Sequence, residues 1–95
     1  MYHALVCCRA GMGSSMMLKI KADQVIKAHG YPITTRPGNL KALKAFTGDL
    51  VITMNDLVDE VESRGTYAVG VDDILDTKQL QAGLEKFLEY KQAQA

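Results

Sequence analysis

The sequence lacks both a net charge and a long apolar run. Eleven Lys and Arg residues balance eleven Asp and Glu residues, so no strong electrostatic field favours nucleic acid or an anionic membrane surface. Apolar runs are short, as in residues 4–8, whereas a membrane span needs roughly 20 residues. The opening residues also lack the apolar core and cleavage site of a secretory signal. These absences predict a cytoplasmic protein that neither spans a membrane nor binds nucleic acid.

Residues that form disulfides or bind metals are scarce as well. The two cysteines, Cys7 and Cys8, are adjacent, and neighbouring residues of a strand point to opposite faces, so a disulfide between them is not expected. His3 and His29 lie far apart in the sequence, so a zinc site would need an unusual ligand set. The cysteines therefore remain free thiols, and we expect Cys7 to fill space inside the fold.

Short apolar stretches alternate with segments of helical spacing along the chain. This alternation is typical of a parallel sheet covered by helices, and 95 residues leave room for one domain, residues 1–95. We predict a three-layer α/β fold whose four-stranded parallel sheet has the flavodoxin-like strand order 2-1-3-4. The predicted strands are Tyr2 to Cys8, Tyr31 to Thr35, Leu50 to Met54 and Tyr67 to Val71.

Helix boundaries are predicted from residues that begin and end helices. Ser14 or Ser15 is a good N-cap for a first helix that runs to about His29, and Gly30 supplies the left-handed residue that ends it. Pro37-Gly38 indicates a turn after the second strand. The other predicted N-caps are Asn39, then Asn55 or Asp56, and finally Thr77.

One segment places a thiol, two glycines and a helix start in succession at the end of the first strand. Ligands of parallel sheets bind at this edge, and the order 2-1-3-4 puts the switch point above the first strand. Glycine backbone angles and free helix N–H groups can form an anion cradle, whose field would also favour the thiolate of Cys8. Cys8 is therefore the predicted nucleophile. The predicted phosphate-binding loop consists of Arg9, Ala10, Gly11, Met12, Gly13, Ser14 and Ser15.

Further side chains are predicted near this edge without a fixed role. Met16 and Ile20 fall away from the helix face that carries Leu18 and Val25, which leaves two interpretations open. They either pack in the core or at its edge, or they form an adaptable apolar rim for partners. The polar residues expected on loops at this edge, near phosphate, a partner or only solvent, are Arg36, Thr53, Asn55 and Asp72.

The run from Cys8 to Gln24 resembles the B component of the ascorbate-type phosphotransferase family, within the lactose, ascorbate and galactitol IIB superfamily. The likeness continues more loosely through Asp49 to Thr53 and through Tyr67 to Val71. It implies a phosphotransferase whose cysteine, matched by Cys8, takes a phosphoryl group from a phosphohistidine of the cytosolic IIA component. The phosphocysteine then passes the group to a sugar, by likeness L-ascorbate, bound by the membrane IIC component. No metal or cofactor is implied.

The loop departs from the family pattern at Arg9-Ala10, where members often have small or amide residues. A cation at Arg9 could strengthen the phosphate site or could point into solvent. Cys7 falls within the preceding strand, so Cys8 is the residue that matches the cysteine of the family.

Two other classes of protein share this architecture. Low-molecular-weight tyrosine phosphatases and arsenate reductases also set a cysteine before a phosphate loop, but they need an arginine six positions later to clamp the phosphate. Six positions after Cys7 and Cys8 stand Gly13 and Ser14, which disfavours hydrolysis. The other class is a phosphorylation-sensing regulatory module. Such modules usually sit inside longer chains, so a free-standing carrier is the simpler hypothesis.

Overall fold

Four parallel strands form the centre of the fold, in the order β2-β1-β3-β4. The computed structural model describes residues 1–9 and 12–94. Its strands are β1 (Tyr2–Cys7), β2 (Ile33–Gly38), β3 (Leu50–Met54) and β4 (Tyr67–Val71). Leu5 in the middle of β1 pairs with Arg36 of β2 on one side and with Val51 of β3 on the other. The parallel α/β fold and the strand order predicted from the sequence are confirmed.

Helices connect the strands and cover both faces of the sheet. They are α1 (Met12–His29), α2 (Leu40–Ala45), α3 (Val58–Ser63), which follows a 3₁₀ turn (Asn55–Leu57), and α4 (Thr77–Gln94). Gly30 follows α1 with a positive φ of 67°, as predicted for the residue that ends this helix. The Asn39 side chain accepts a hydrogen bond from the N–H of Ala42 at 2.9 Å, so the predicted cap of α2 is confirmed.

Three predicted helix starts are wrong. Neither Asn55 nor Asp56 caps α3, because both lie inside the 3₁₀ turn and Leu57 precedes α3 without a capping hydrogen bond from its side chain. Helix α1 begins at Met12, so both serines predicted as its N-cap lie inside the first turn. Thr77 is the first residue of α4, and the carboxylate of Asp76 accepts a hydrogen bond from the N–H of Gln79 at 3.1 Å. An aspartate before the helix caps it at least as well as a threonine does, so Asp76 is the cap and α4 begins one residue earlier than predicted.

The side chains of β1 divide between two hydrophobic clusters, one on each face of the sheet. Val6 and Cys8 pack beneath α1 and α4, in a cluster that contains Leu18. Leu5 and Cys7 belong to the cluster beneath α2 and α3. This division follows from the alternation of side chains along a strand. The two thiols therefore lie on opposite faces, and both are free cysteines.

Strand β2 extends past its predicted end. The turn predicted at Pro37-Gly38 is wrong, because both residues pair with β1. The missing N–H of Pro37 is tolerated because β2 lies at the edge of the sheet. A Cβ at position 38 would lie 2.6 Å from Leu5 Cδ1 and 2.9 Å from Ala42 Cβ. Glycine at this position therefore lets α2 pack closely on the sheet.

Candidate functional site

Cys8 follows the last residue of β1, at the carboxyl edge of the sheet. On either side of β1 lie the edge strand β2 and the inner strand β3, so Cys8 stands at the switch point of the sheet. Its side chain is 2% exposed and packs in the cluster beneath α1 and α4. Cys7 is 0% exposed on the opposite face, as predicted for a residue that fills space. Of the two thiols, only Cys8 therefore lies beside the start of α1.

The surroundings of Cys8 favour the neutral thiol. Burial raises the pKa of Cys8 above its ordinary value, and the electrostatic interactions with the Cys7 thiol and the Asp56 carboxylate raise this pKa further. Burial likewise raises the pKa of Cys7, with Glu60 as the second cause. A thiolate at Cys8 would lose its solvation and face the Asp56 carboxylate. The described surroundings therefore favour the protonated thiol of Cys8. Residues 10 and 11, on which the expected stabilisation of the thiolate depends, lie outside the described residues.

The predicted phosphate-binding loop extends into the first turn of α1. Ala10 and Gly11 lie outside the described residues. Met12 begins α1, and Ser14 and Ser15 follow inside the helix, where Ser15 is fully buried. Because α1 begins only four positions after Cys8, the partial positive charge of its N-terminus lies at the same edge of the sheet.

Gly13 lies in the first turn of α1 and leaves open space around it. The glycines with positive φ among the described residues are Gly30 and Gly65, so the special backbone angle predicted for Gly13 is wrong. A Cβ built at position 13 would meet no described atom within 4 Å outside its own stretch of helix. The absent side chain thus leaves the helix N-terminus accessible.

Arg9 joins the end of β1 to the segment that follows β3. Its Nε donates to Asp56 Oδ2 at 3.2 Å, and its Nη2 lies 3.6 Å from Glu60 Oε1. Asp56 belongs to the 3₁₀ turn and Glu60 to α3. Sequence reasoning missed both partners, because Asp56 lies 47 residues from Arg9 and no local spacing pattern marks the contact.

Two of the four polar residues expected on loops at this edge lie within strands instead. Arg36 belongs to β2, and Thr53 belongs to β3, where it is fully buried, so the expectation is wrong for both. Asn55 and Asp72 do follow β3 and β4, and the Asn55 amide donates to the Asp72 carboxylate. Gln79 of α4 extends this pair, since its Oε1 accepts from the N–H of Asp72 at 2.9 Å. These contacts tie the ends of β3 and β4 together.

Apolar side chains of α1 face solvent near the same edge. Met16 is 43% exposed, and Met17 and Ile20 are exposed to a similar degree. Leu18, in contrast, is fully buried. The prediction that Met16 and Ile20 fall outside the core-facing side of α1 is confirmed, and these exposures exclude burial in the core for both.

Two grooves lie at different ends of the strands. The smaller one, of about 340 Å³, opens at the ends of β3 and β4 and is lined by Met54, Asn55, Asp56, Val71 and Asp72. A larger one, of about 490 Å³, is lined by residues that include His3 and Phe46. Because His3 lies near the start of β1 and Cys8 follows its end, the larger groove is separate from the candidate site.

The fold and the site together define a small α/β protein with a thiol between the end of a strand and the start of a helix. Residues 3–86 match the family model described as PTS system, Lactose/Cellobiose specific IIB subunit. The match spans most of the chain, and the chain therefore belongs to this family of phosphotransferase-system (PTS) components.

Individual relatives agree with this assignment. The chain is 28% identical over 89 residues to the ascorbate-specific PTS system EIIB component of Mycoplasma pneumoniae, covering 90% of this chain and 94% of that protein. The fold is similar to the lactose-specific IIB component domain of the phosphoenolpyruvate:carbohydrate phosphotransferase system from Streptococcus pneumoniae. That likeness has a TM-score of 0.60 at 19% identity and covers 93% of this chain and 95% of the other.

Membership of the family establishes the general role of the chain. It is a phosphotransferase, the IIB component in sugar phosphotransfer, and such components work together with IIA and IIC components. None of the described helices is long and apolar enough to cross a membrane.

Proposed function

We propose that Cys8 is the residue that carries the phosphoryl group in this IIB component. The position of Cys8 supports the proposal most directly, since it lies at the carboxyl end of β1, just before the N-terminus of α1. Cys7 is fully buried on the opposite face, beneath α2 and α3. A phosphoryl group on Cys8 would meet the N–H groups at the start of α1, which lies on the other face of the sheet from Cys7.

The proposed transfer has two steps. The sulfur of Cys8 attacks a phosphohistidine of the IIA component, an S–P bond forms, the N–P bond breaks, and the thiol proton ends on the released imidazole. In the second step a sugar hydroxyl attacks the phosphocysteine, an O–P bond forms, and Cys8 leaves as a thiolate. A base of the IIC component takes the hydroxyl proton. Because Cys8 is 2% exposed, docking of the donor must uncover its sulfur.

Residues 9 to 15 form the phosphate-binding segment in this proposal. Their backbone N–H groups and the positive end of α1 balance the charge of the phosphoryl group, while Ser14 and Ser15 contribute hydroxyls. The same charges compensate the thiolate, which the raised pKa of Cys8 otherwise disfavours. We further propose that residues 1–95 act as one cytoplasmic domain.

Intact-mass spectrometry tests the acceptor. Wild type, Cys7→Ser and Cys8→Ser are incubated at neutral pH with a phosphorylated IIA component, and hydrolysis of a chromogenic phosphate ester is followed alongside. Wild type and Cys7→Ser should each gain one phosphoryl group, Cys8→Ser should gain none, and the ester should stay intact. Labelling that persists in Cys8→Ser, or rapid ester turnover, would overturn the carrier proposal in favour of a regulatory module or a phosphatase.

For the sugar we propose L-ascorbate. Two observations support this choice: residues 8 to 24 resemble the ascorbate-type components, and one relative is ascorbate-specific. The description of the matching family model, in contrast, names lactose and cellobiose. The test supplies the phosphorylated chain to membrane vesicles that contain an ascorbate-type or a lactose-type IIC component, each with its labelled substrate. Phosphorylation of lactose or cellobiose without phosphorylation of ascorbate would reject this choice.

A further inference from the structure

Arg9 is held by two carboxylates that the transfer chemistry does not itself require. One contact joins Arg9 Nε to Asp56 Oδ2 at 3.2 Å, and the other joins Arg9 Nη2 to Glu60 Oε1 at 3.6 Å. All three side chains are about half exposed. The residue directly after Cys8 is thereby tied to the turn after the neighbouring strand and to α3.

The charges of this cluster oppose a phosphoryl group on Cys8. Two carboxylates against one guanidinium leave a surplus of negative charge, and Asp56 is close enough to Cys8 to disfavour its thiolate. A phosphoryl group would add further negative charge at the same place. Asp56 therefore opposes phosphorylation twice, once through repulsion and once because it occupies the nearest arginine.

We propose that Asp56 and Glu60 restrain Arg9 in the unphosphorylated chain and that Arg9 exchanges them for the phosphoryl group once Cys8 is phosphorylated. This inference rests on the proposed function. A guanidinium has five N–H donors and binds phosphate oxygens in pairs. Its present ion pairs are exposed, and such pairs stabilise little, so the exchange loses little. Asp56 and Glu60 are positioning residues in this proposal, acting on the phosphoryl group through Arg9.

The first test measures how far Cys8 is phosphorylated at equilibrium with a phosphorylated IIA component, by intact mass. Arg9→Gln should lower the equilibrium constant about threefold or more, and Asp56→Asn should raise it by a similar factor. Asp59→Asn is the matched control, because Asp59 lies on α3 and forms no ion pair among the described residues. Its equilibrium constant should equal that of wild type. An Asp56→Asn value at or below that of the control would overturn the inference.

The double variant Arg9→Gln/Asp56→Asn separates an action through Arg9 from simple repulsion. If Asp56 works by restraining Arg9, its substitution should have much less effect once Arg9 is gone. If the two factors multiply, Asp56 merely repels the phosphoryl group and the inference is wrong. Arg9→Lys keeps the positive charge but should recover only part of the equilibrium constant lost in Arg9→Gln, because lysine lacks the planar guanidinium that binds phosphate oxygens in pairs.

A direct readout is the Nε–H signal of Arg9 in a ¹H–¹⁵N spectrum, assigned by its loss in Arg9→Gln. The signal should shift on phosphorylation of wild type and, without phosphorylation, in Asp56→Asn. A signal that stays fixed while Cys8 gains its phosphoryl group overturns the exchange but leaves the carrier proposal intact. Failure of wild-type Cys8 to accept any phosphoryl group overturns both.

Discussion

The two adjacent cysteines show how one position along a strand decides the environment of a side chain. Cys7 packs with Leu5 beneath α2 and α3, whereas Cys8 packs with Val6 beneath α1 and α4. Both thiols are buried, and burial raises the pKa of each. Burial therefore does not distinguish the two thiols. What distinguishes Cys8 is that it lies on the face covered by α1, the helix that follows β1, and its proposed role rests on that difference.

Thr53 carries a buried hydroxyl without a described partner. Its side chain is fully buried, and no residue among 1–9 and 12–94 forms a hydrogen bond with its Oγ1. Thr53→Val removes this unsatisfied group at nearly constant shape, so the free energy of unfolding should rise by about 1 kcal/mol. Urea denaturation measures the change.

An exposed threonine provides the control for this prediction. Thr47 lies after α2 and is exposed, so Thr47→Val should change the free energy of unfolding by less than about 0.5 kcal/mol. A loss of stability in Thr53→Val would contradict the prediction, because it would mean that the Thr53 hydroxyl makes a stabilising bond.

At the scale of elements, the sequence predicts helix and strand identity better than their ends. Ser14 and Ser15 are strong N-cap residues, yet α1 begins two positions before the first of them. The burial of Leu18 in the core fixes the helix by tertiary packing, which overrides the local preference. Likewise, proline is rare inside strands, but Pro37 is tolerated in β2 because that strand lies at the edge of the sheet.

Substitution of Gly13 should have opposite effects on the stability of α1 and on the rate at which Cys8 is phosphorylated. Gly13→Ala meets no described atom within 4 Å outside the local helix, so alanine should stabilise α1 by up to about 1 kcal/mol. Its methyl group would occupy the open space where the phosphoryl group is proposed to approach. The labelling rate from the IIA component should therefore fall, by about tenfold or more. Urea denaturation and a single-turnover mass assay measure the two effects.

Gln24→Ala is the matched control on the same helix. Gln24 is exposed and lies three turns from the start of α1, so alanine should add a few tenths of a kcal/mol at most, roughly the difference in helix propensity. Its labelling rate should equal that of wild type. Equal labelling by Gly13→Ala would mean that the phosphoryl group approaches Cys8 from another direction.

At the scale of the molecule, the sequence predicts what depends on topology and not what depends on long-range side-chain contacts. Right-handed crossovers bring the ends of all strands to one edge, which is enough to place Cys8 beside the start of α1. The pairing of Arg9 with Asp56 spans 47 residues and depends on how two loops meet. The raised pKa of Cys8 comes first from burial and then from Cys7 and Asp56. This burial depends on packing beneath α1 and α4, which local spacing in the sequence does not specify.

The molecule as a whole should lose stability in alkaline solution. Burial is the largest cause of a raised pKa at Cys7, Cys8, Tyr31 and Tyr67. The folded chain therefore keeps protons that the unfolded chain releases, beginning near the ordinary thiol pKa of 9.0. Stability contributed by these groups is fully present below that pH and is lost as the pH rises toward the folded pKa values.

Urea denaturation at a series of pH values measures this loss. The free energy of unfolding should be nearly constant between about pH 7 and 8 and should decline above about pH 9, where unfolding releases protons. The double variant Cys7→Ala/Cys8→Ala is compared with wild type by the slope of its free energy of unfolding against pH, not by its absolute stability. This slope should be less steep, because only the two tyrosines still contribute to it. A free energy of unfolding that rises above pH 9, or equal slopes in wild type and the variant, would show that the buried thiols do not control the alkaline limit.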